Sequence, residues 1–266
     1  MTIFNSLGSN YNFRFVLKAL APRSGHHHLK LRESLETRYG GETILFHKGR
    51  EALELALRII QNAPRSGHHH LKLRESLETR YGGETILFHK GREALELALR
   101  IIQKIDNLPS GSLVAINGFT CYAVYQAVAN AGYTPFYLDI EENSLNFSPA
   151  KLRSTLETNP GIKVVVVQNT LGYPCAVEEI AQICAEKGII LIEDLAHSVG
   201  AVYGSGKEAG AFGDFTVFSF SQDKIIDGIS GGALVIKNPR YRIRAPYPLN
   251  DLDYKTQLIE RLYPLF

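Results

Sequence analysis

From Arg92 to Lys237 the hydrophobic positions alternate between the 3.6-residue period of helices and the short apolar runs of strands. In "REALELALRIIQ" (92–103) Leu95, Ala98, Leu99 and Ile102 fall on one face, which predicts an amphipathic helix. "SLVAIN" (112–117) reads as a strand, "TCYAVYQAVANA" (120–131) as a helix and "TPFYLDI" (134–140) as a strand. A helix is expected over 149–158 with Ser148 as its N-cap. "KVVVVQN" (163–169) holds four consecutive valines, which suit a strand covered on both faces. The helix "AVEEIAQICAEKG" (176–188), closed by Gly188, and the strand "IILIED" (189–194) continue the series. This alternation predicts an α/β fold, a three-layer α/β/α sandwich around a mainly parallel sheet.

Upstream the pattern is dominated by an exact repeat. Ala21–Gln61 recurs letter for letter as Ala63–Gln103, an offset of 42 residues. Solenoid repeats keep core positions, let surface positions drift and need at least three units. Identity that extends to exposed Arg, Glu and His positions therefore points to a tandem duplication or an error of sequence assembly, with one copy surplus to the fold. Only the second copy runs directly through its helix into the strand at Leu113. Gly91 and Arg92 are thus expected at any functional site, and Gly49 and Arg50 are not. The first copy's helix, with Leu53, Ala56, Leu57 and Ile60, is expected to pack peripherally. After Lys237 the periodicity breaks into a proline-rich stretch followed by "YKTQLIERLY". The organisation expected is a large domain over 1–240, then a linker and the start of a smaller domain over 241–266.

At 266 residues with 45% hydrophobic content the chain can bury a sizeable core. Each repeat copy carries seven of the 29 Lys and Arg and five of the 27 Asp and Glu, so the formal charge of +2 comes from the duplication. It is no nucleic-acid signature. Four of the nine histidines lie in each copy, and the runs His26–His28 and His68–His70 read as solvated loop, with no spaced acidic or thiol partner for a metal. Cys121, Cys175 and Cys184 lack metal spacing and read as structural thiols of a reducing compartment. The absence of a spanning apolar run and of a signal-like start favours a cytoplasmic protein. "GSGKEAG" (204–210) is neither a dinucleotide fingerprint nor a P-loop and reads as a hairpin turn.

Chemistry concentrates in two places. Lys224 stands just past the Ser-rich strand "GDFTVFSFSQDK" (213–224), and Asp194 ends the strand Ile192-Glu193-Asp194. An amine to hold an aldehyde and a carboxylate to hold a pyridinium nitrogen are what pyridoxal phosphate (PLP) needs. Ser219 and Ser221 share one face of an alternating stretch, from which their hydroxyls can reach phosphate.

"LIEDLAHSVGA" (191–201), "GDFTVFSFSQDK" and "GGALV" (231–235), with "GFTCYAVYQA" (118–127) before them, resemble consecutive motifs of the DegT/DnrJ sugar aminotransferases, which are fold-type I PLP enzymes. The similarity runs from about Leu87 to Lys237. It implies that Lys224 anchors PLP and carries the proton in transfer, and that Asp194 faces the ring nitrogen. It implies phosphate contacts from Ser219 and Ser221. The family's Ser-Gly-Thr phosphate turn reads Lys90-Gly91-Arg92 here, so Gly91 and Arg92 are expected to take that role. His197 stands where the family often has glutamine, suited to the cofactor's ring oxygen. Asn169 stands where it usually has histidine. The ring-stacking aromatic aligns with Cys121, which leaves stacking to Tyr122. The activity implied is transfer of an amino group, from glutamate, to a keto group of a nucleotide-linked sugar, in a homodimer. Lysine at 224 sets the chain apart from the family's dehydratase branch, where histidine replaces it. The rival expectation is a catalytically silent remnant of the PLP fold, or a partner of a complete paralogue.

Overall fold

The structure, a computed structural model, describes residues 3–4, 10–11, 67–222, 224–226, 228, 230–243 and 256. Its main sheet holds seven strands: β1 (Glu84–Phe88), β2 (Leu113–Asn117), β3 (Thr134–Leu138), β4 (Ile162–Gln168), β5 (Ile190–Asp194), β6 (Phe215–Ser219) and β7 (Gly232–Ile236). Their spatial order is β1-β7-β6-β5-β4-β2-β3, and only β7 runs against its neighbours. Five helices flank the sheet: α1 (Gly67–Tyr81), α2 (Gly91–Ile105), α3 (Tyr122–Asn130), α4 (Pro149–Thr158) and α5 (Val177–Lys187).

Strand alternation divides the core into two layers. On one face α2 and α3 bury Leu95, Leu99, Ile102 and Val128 against Val164, Val166, Ile192 and Phe215. On the other, α4 and α5 bury Leu152, Ile180 and Ile183 against Val165, Val167 and Leu191. Helix α1 extends that second layer by setting Leu77 on Phe218, Ala233 and Val235. The three-layer α/β/α sandwich is therefore the observed architecture. Strand β4, with helices over both faces, is the one built from four consecutive valines, all buried. Pro135, which cannot donate to a ladder, sits in the edge strand β3. Ser148 caps α4 by accepting from Lys151 N at 3.1 Å, and Gly188 ends α5 at φ 64°.

The histidine run departs from expectation. His68–His70 belong to α1, not to a loop. Tertiary contacts fix this helix: Tyr81 meets the Phe218 ring edge-on at 4.9 Å, and the Tyr81 hydroxyl and Arg80 both donate to Glu208. Glu208 lies in the 204–210 turn, which closes as a hairpin through an antiparallel bridge from Val202 to Glu208. Leu53, Ala56, Leu57, Ile60, Gly49 and Arg50 lie outside the described residues, as does nearly all of 244–266.

The last two residues of β5 point to opposite layers. Glu193, 1% exposed, accepts from the backbone N–H groups of Gly210, Phe212 and Gly213 at 2.7, 2.6 and 2.5 Å. Lys237 Nζ stands 3.8 Å away and also donates to Gly210 O. This carboxylate fixes the loop that delivers the chain into β6. Glu193→Ala is expected to destabilise the fold by about 3–5 kcal/mol in denaturant titration, since it removes the carboxylate opposite the half-buried Lys237 and leaves three backbone donors without their acceptor. A loss below about 1 kcal/mol would show that the loop holds itself.

Candidate active site

Because β2, β4, β5 and β6 are parallel, Asn117, Gln168, Asp194 and Ser219 all end at one edge of the sheet, where open α/β sheets bind ligands. Lys224 arrives there from the β6–β7 connection, whose base is closed by Phe220 N to Gly231 O and Gly228 N to Phe220 O at 2.9 and 2.7 Å. Asp194, His197 and Lys224 line one small cavity of about 30 Å³ with Thr120, Cys121, Val124, Gln168, Asn169 and Ala196. Lys224 Nζ lies 3.2 Å from His197 Nε2. Asp194 Oδ1 accepts from Ala196 N at 2.9 Å, so a strand-end turn holds the carboxylate in place. Through Thr120 and Cys121 the cavity adjoins a groove of about 310 Å³ lined also by Gly118, Tyr122, Tyr125 and Tyr137.

The N-terminus of α2 reaches the same edge. A Cβ on Gly91 would stand 2.7 Å from Ser219 Cβ, and one on Gly232 would stand 2.6 Å from Gly91 N, so both positions require glycine. Ser219 Oγ donates to Ser221 Oγ at 3.4 Å, which places the two hydroxyls together as alternation requires. Arg92 points elsewhere, its Nη1 donating to Gln126 Oε1 at 2.6 Å. Glu93 accepts from the His89 and Lys90 N–H groups and completes a capping box.

Two further expected residues, Tyr122 and Asn169, have protein partners of their own. Tyr122 is 67% exposed, stacks on Tyr125 with ring centroids 5.4 Å apart, and lines the outer groove, not the lysine cavity. Helix α3 begins at Tyr122, so the N-cap Cys121 and Val124, one turn on, line the lysine cavity instead. Asn169 does line the cavity, but its Oδ1 accepts from Cys175 N and its Nδ2 donates to Tyr203 at 2.8 and 2.9 Å. Its amide is a brace for the wall. Thr120 and Gln168, bonded to each other at 2.6 Å, are wall residues without a sequence signature. Asn117, at the end of β2, ties the surrounding loops by donating to Phe119 O, Leu145 O and Thr170 Oγ1. Cys175 and Cys184 are buried thiols, pushed up to about 12 by burial, whereas Cys121 is exposed.

The family model for DegT/DnrJ/EryC1/StrS aminotransferases matches residues 48–246. The chain belongs to this family. It is 37% identical over 131 residues to the protein EpsN of Bacillus subtilis (strain 168), covering 47% of this chain and 33% of that one. It is 31% identical over 128 residues to a GDP-perosamine synthase of Vibrio cholerae, covering 48% and 34%. The Escherichia coli GDP-4-keto-6-deoxy-D-mannose-3-dehydratase, solved with bound hydrated PLP, shares the fold with a TM-score of 0.59 at 21% identity, over 70% of this chain and 48% of that one. The chain thus spans about a third of the length of the curated relatives it matches.

In this DegT/DnrJ-type site burial governs the Asp194 carboxyl. Burial raises the Asp194 carboxyl above its ordinary range, opposed by the Ala196 N–H and by the charges of His197 and Lys224. A carboxyl raised in the folded state contributes stability in acid, below its unfolded value, and loses it as pH rises through the folded value. Ionising Asp194 as pH rises therefore opposes folding. Asp194→Asn, which keeps the Oδ1 acceptor, is expected to melt higher than the parent at neutral pH, with the difference vanishing below about pH 4. A variant that melts lower at neutral pH would show that the carboxylate is already compensated.

Proposed function

We propose that the chain is the cofactor-binding part of a PLP-dependent aminotransferase that moves an amino group, from glutamate, to a keto group of a nucleotide-linked sugar or similar acceptor. The observation that carries this reading is the meeting of an amine, Lys224, and a buried carboxylate, Asp194, in one cavity at the carboxyl edge of a parallel sheet. The donor set suits PLP: a buried carboxylate shares its cavity with an amine, and glycine-lined backbone at Gly91 brings a helix N-terminus against Ser219. When bound, PLP supplies a carbonyl for an amine to hold and a protonated ring that withdraws electrons.

Each residue then has a task of its own. With the cofactor bound, Lys224 Nζ would hold its carbonyl and, when free, would take a proton from the substrate carbon and return it. Asp194 would keep the ring nitrogen protonated by opposing its charge. Gly91, the α2 N-terminus, Ser219 and Ser221 receive the phosphate, with Arg92 adding positive potential from the same turn. His197 stands beside the amine, and Asn169 braces the wall. Names among the relatives support a nucleotide-linked acceptor, since one is a GDP-perosamine synthase. A cytoplasmic homodimer belongs to the same reading.

PLP added to the purified chain is expected to produce a near-visible absorption band that bleaches on adding glutamate. Lys224→Ala should abolish the band and reduce amino transfer by about 10²–10⁴-fold or more. Persistence of the band in Lys224→Ala would exclude Lys224 as anchor, and a colourless parent chain would favour the silent remnant.

A further inference from the structure

We propose that residues 25–61 compete with residues 67–103 for one place in the fold, the β7 edge of the sheet, and that Asp106 decides which copy holds it. The place is defined by what residues 67–103 do there. Strand β1 pairs antiparallel with β7 from Glu84 opposite Ile236 to Phe88 opposite Gly232. Helix α1 sets Leu77 on Phe218, Ala233 and Val235, and its Arg80 and Tyr81 donate to Glu208. Helix α2 buries Leu95, Leu99 and Ile102 in the core, and Gly91 brings its start against Ser219. Every group that this α1-β1-α2 unit contributes up to Gln103 is present again 42 residues earlier, with Leu35, Tyr39, Gly49 and Leu57 as the counterparts of Leu77, Tyr81, Gly91 and Leu99. Residues 25–61 lie outside the described residues, and their identity with the seated segment is what names them as its rival. The same side chains on the same backbone make the same contacts, so nothing inside the repeat distinguishes the copies.

The distinction begins where the repeat ends. Asp106, the C-cap of α2, donates its N–H to Ile102 O at 2.9 Å, accepts from the Tyr241 hydroxyl at 2.7 Å and pairs with Arg240. Its counterpart is Pro64, which has neither an N–H nor a carboxylate. Seating 25–61 at the β7 edge would also lengthen the connection to β2 from 106–112 to 64–112, about sevenfold, which disfavours closure by about twentyfold. Loss of a hydrogen bond to a charged acceptor adds about tenfold or more. Together these effects favour residues 67–103 by about 10²–10³-fold, in accord with the copy that the structure seats there. A defect confined to that copy and costing more than this margin reverses the choice. Neither the repeat nor the Asp106 clasp rests on the function proposed above.

Denaturant titration of full-length variants, followed by circular dichroism, tests the exchange. Leu99 is fully buried, so an aspartate there lowers the folding equilibrium of its own copy on the order of 10⁴-fold or more. Leu57→Asp is expected to titrate as the parent does. Leu99→Asp should keep a cooperative transition, weakened only by the margin of about 10²–10³-fold, because residues 25–61 replace the damaged copy. The double variant Leu57→Asp, Leu99→Asp has no intact copy and should lose the transition. Asp106→Ala should weaken the parent by about tenfold or more and leave Leu99→Asp unchanged, since the clasp is already open there. A Leu99→Asp chain that titrates like the double variant, or an Asp106→Ala cost that is equal in both backgrounds, would overturn the proposal. So would a Leu99→Asp midpoint that rises with protein concentration while the parent's does not, because a second chain would then be donating the copy.

Discussion

The structure depends on two adjacent carboxylates at the end of β5. A strand turns consecutive side chains to opposite faces, so Glu193 and Asp194 enter different layers although they are neighbours in sequence. Glu193 is satisfied inside the protein, by three backbone donors and Lys237. Asp194 has one fixed donor, Ala196 N, and opens onto the cavity. The first stabilises the loop into β6, and the second is left for a ligand. Exchanging their environments would remove both the loop and the site.

The reversed strand β7 matters for the same reason. It returns the chain beside β6 and brings Gly231 and Gly232 against the start of α2, where Gly231 N donates to His89 O at 2.6 Å. The helix N-terminus is thereby pinned to the end of β6. Any side chain at Gly91 or Gly232 would separate the helix dipole from Ser219. The geometry that suits an anion is produced by backbone contacts, and the hydroxyls add to it.

Much of this was legible in the sequence because it rests on periodicity. The valine run, the amphipathic helix after Gly91, the Ser148 cap and the Gly188 terminus follow from local patterns that tertiary packing only reinforced. The pairing of Lys224 with Asp194 was legible because parallel topology brings strand ends together. What escaped depended on contacts distant in sequence. Helix α1 has almost no amphipathic pattern and exists by docking through Leu77, Tyr81 and Glu208. Tyr122 faces the outer groove because its orientation is set by where α3 starts, and a one-residue choice of helix start redirects the ring by about 100°. Glu193, Thr120 and Gln168 carry no signal, since a buried acid or amide is recognised only by its partners.

Asp194 is therefore held in place by the Ala196 N–H while burial disfavours its charge, and Lys224 lines the same cavity. On the function proposed above, a ligand that brings a cationic ring nitrogen to the carboxylate offsets the cost of that burial, and its carbonyl is what the amine would hold. A ligand with only one of these features leaves the other group unmatched, and an unmatched buried polar group opposes binding more strongly than a satisfied one favours it. Selectivity for a guest bearing both features is what the proposed function would require of these two groups.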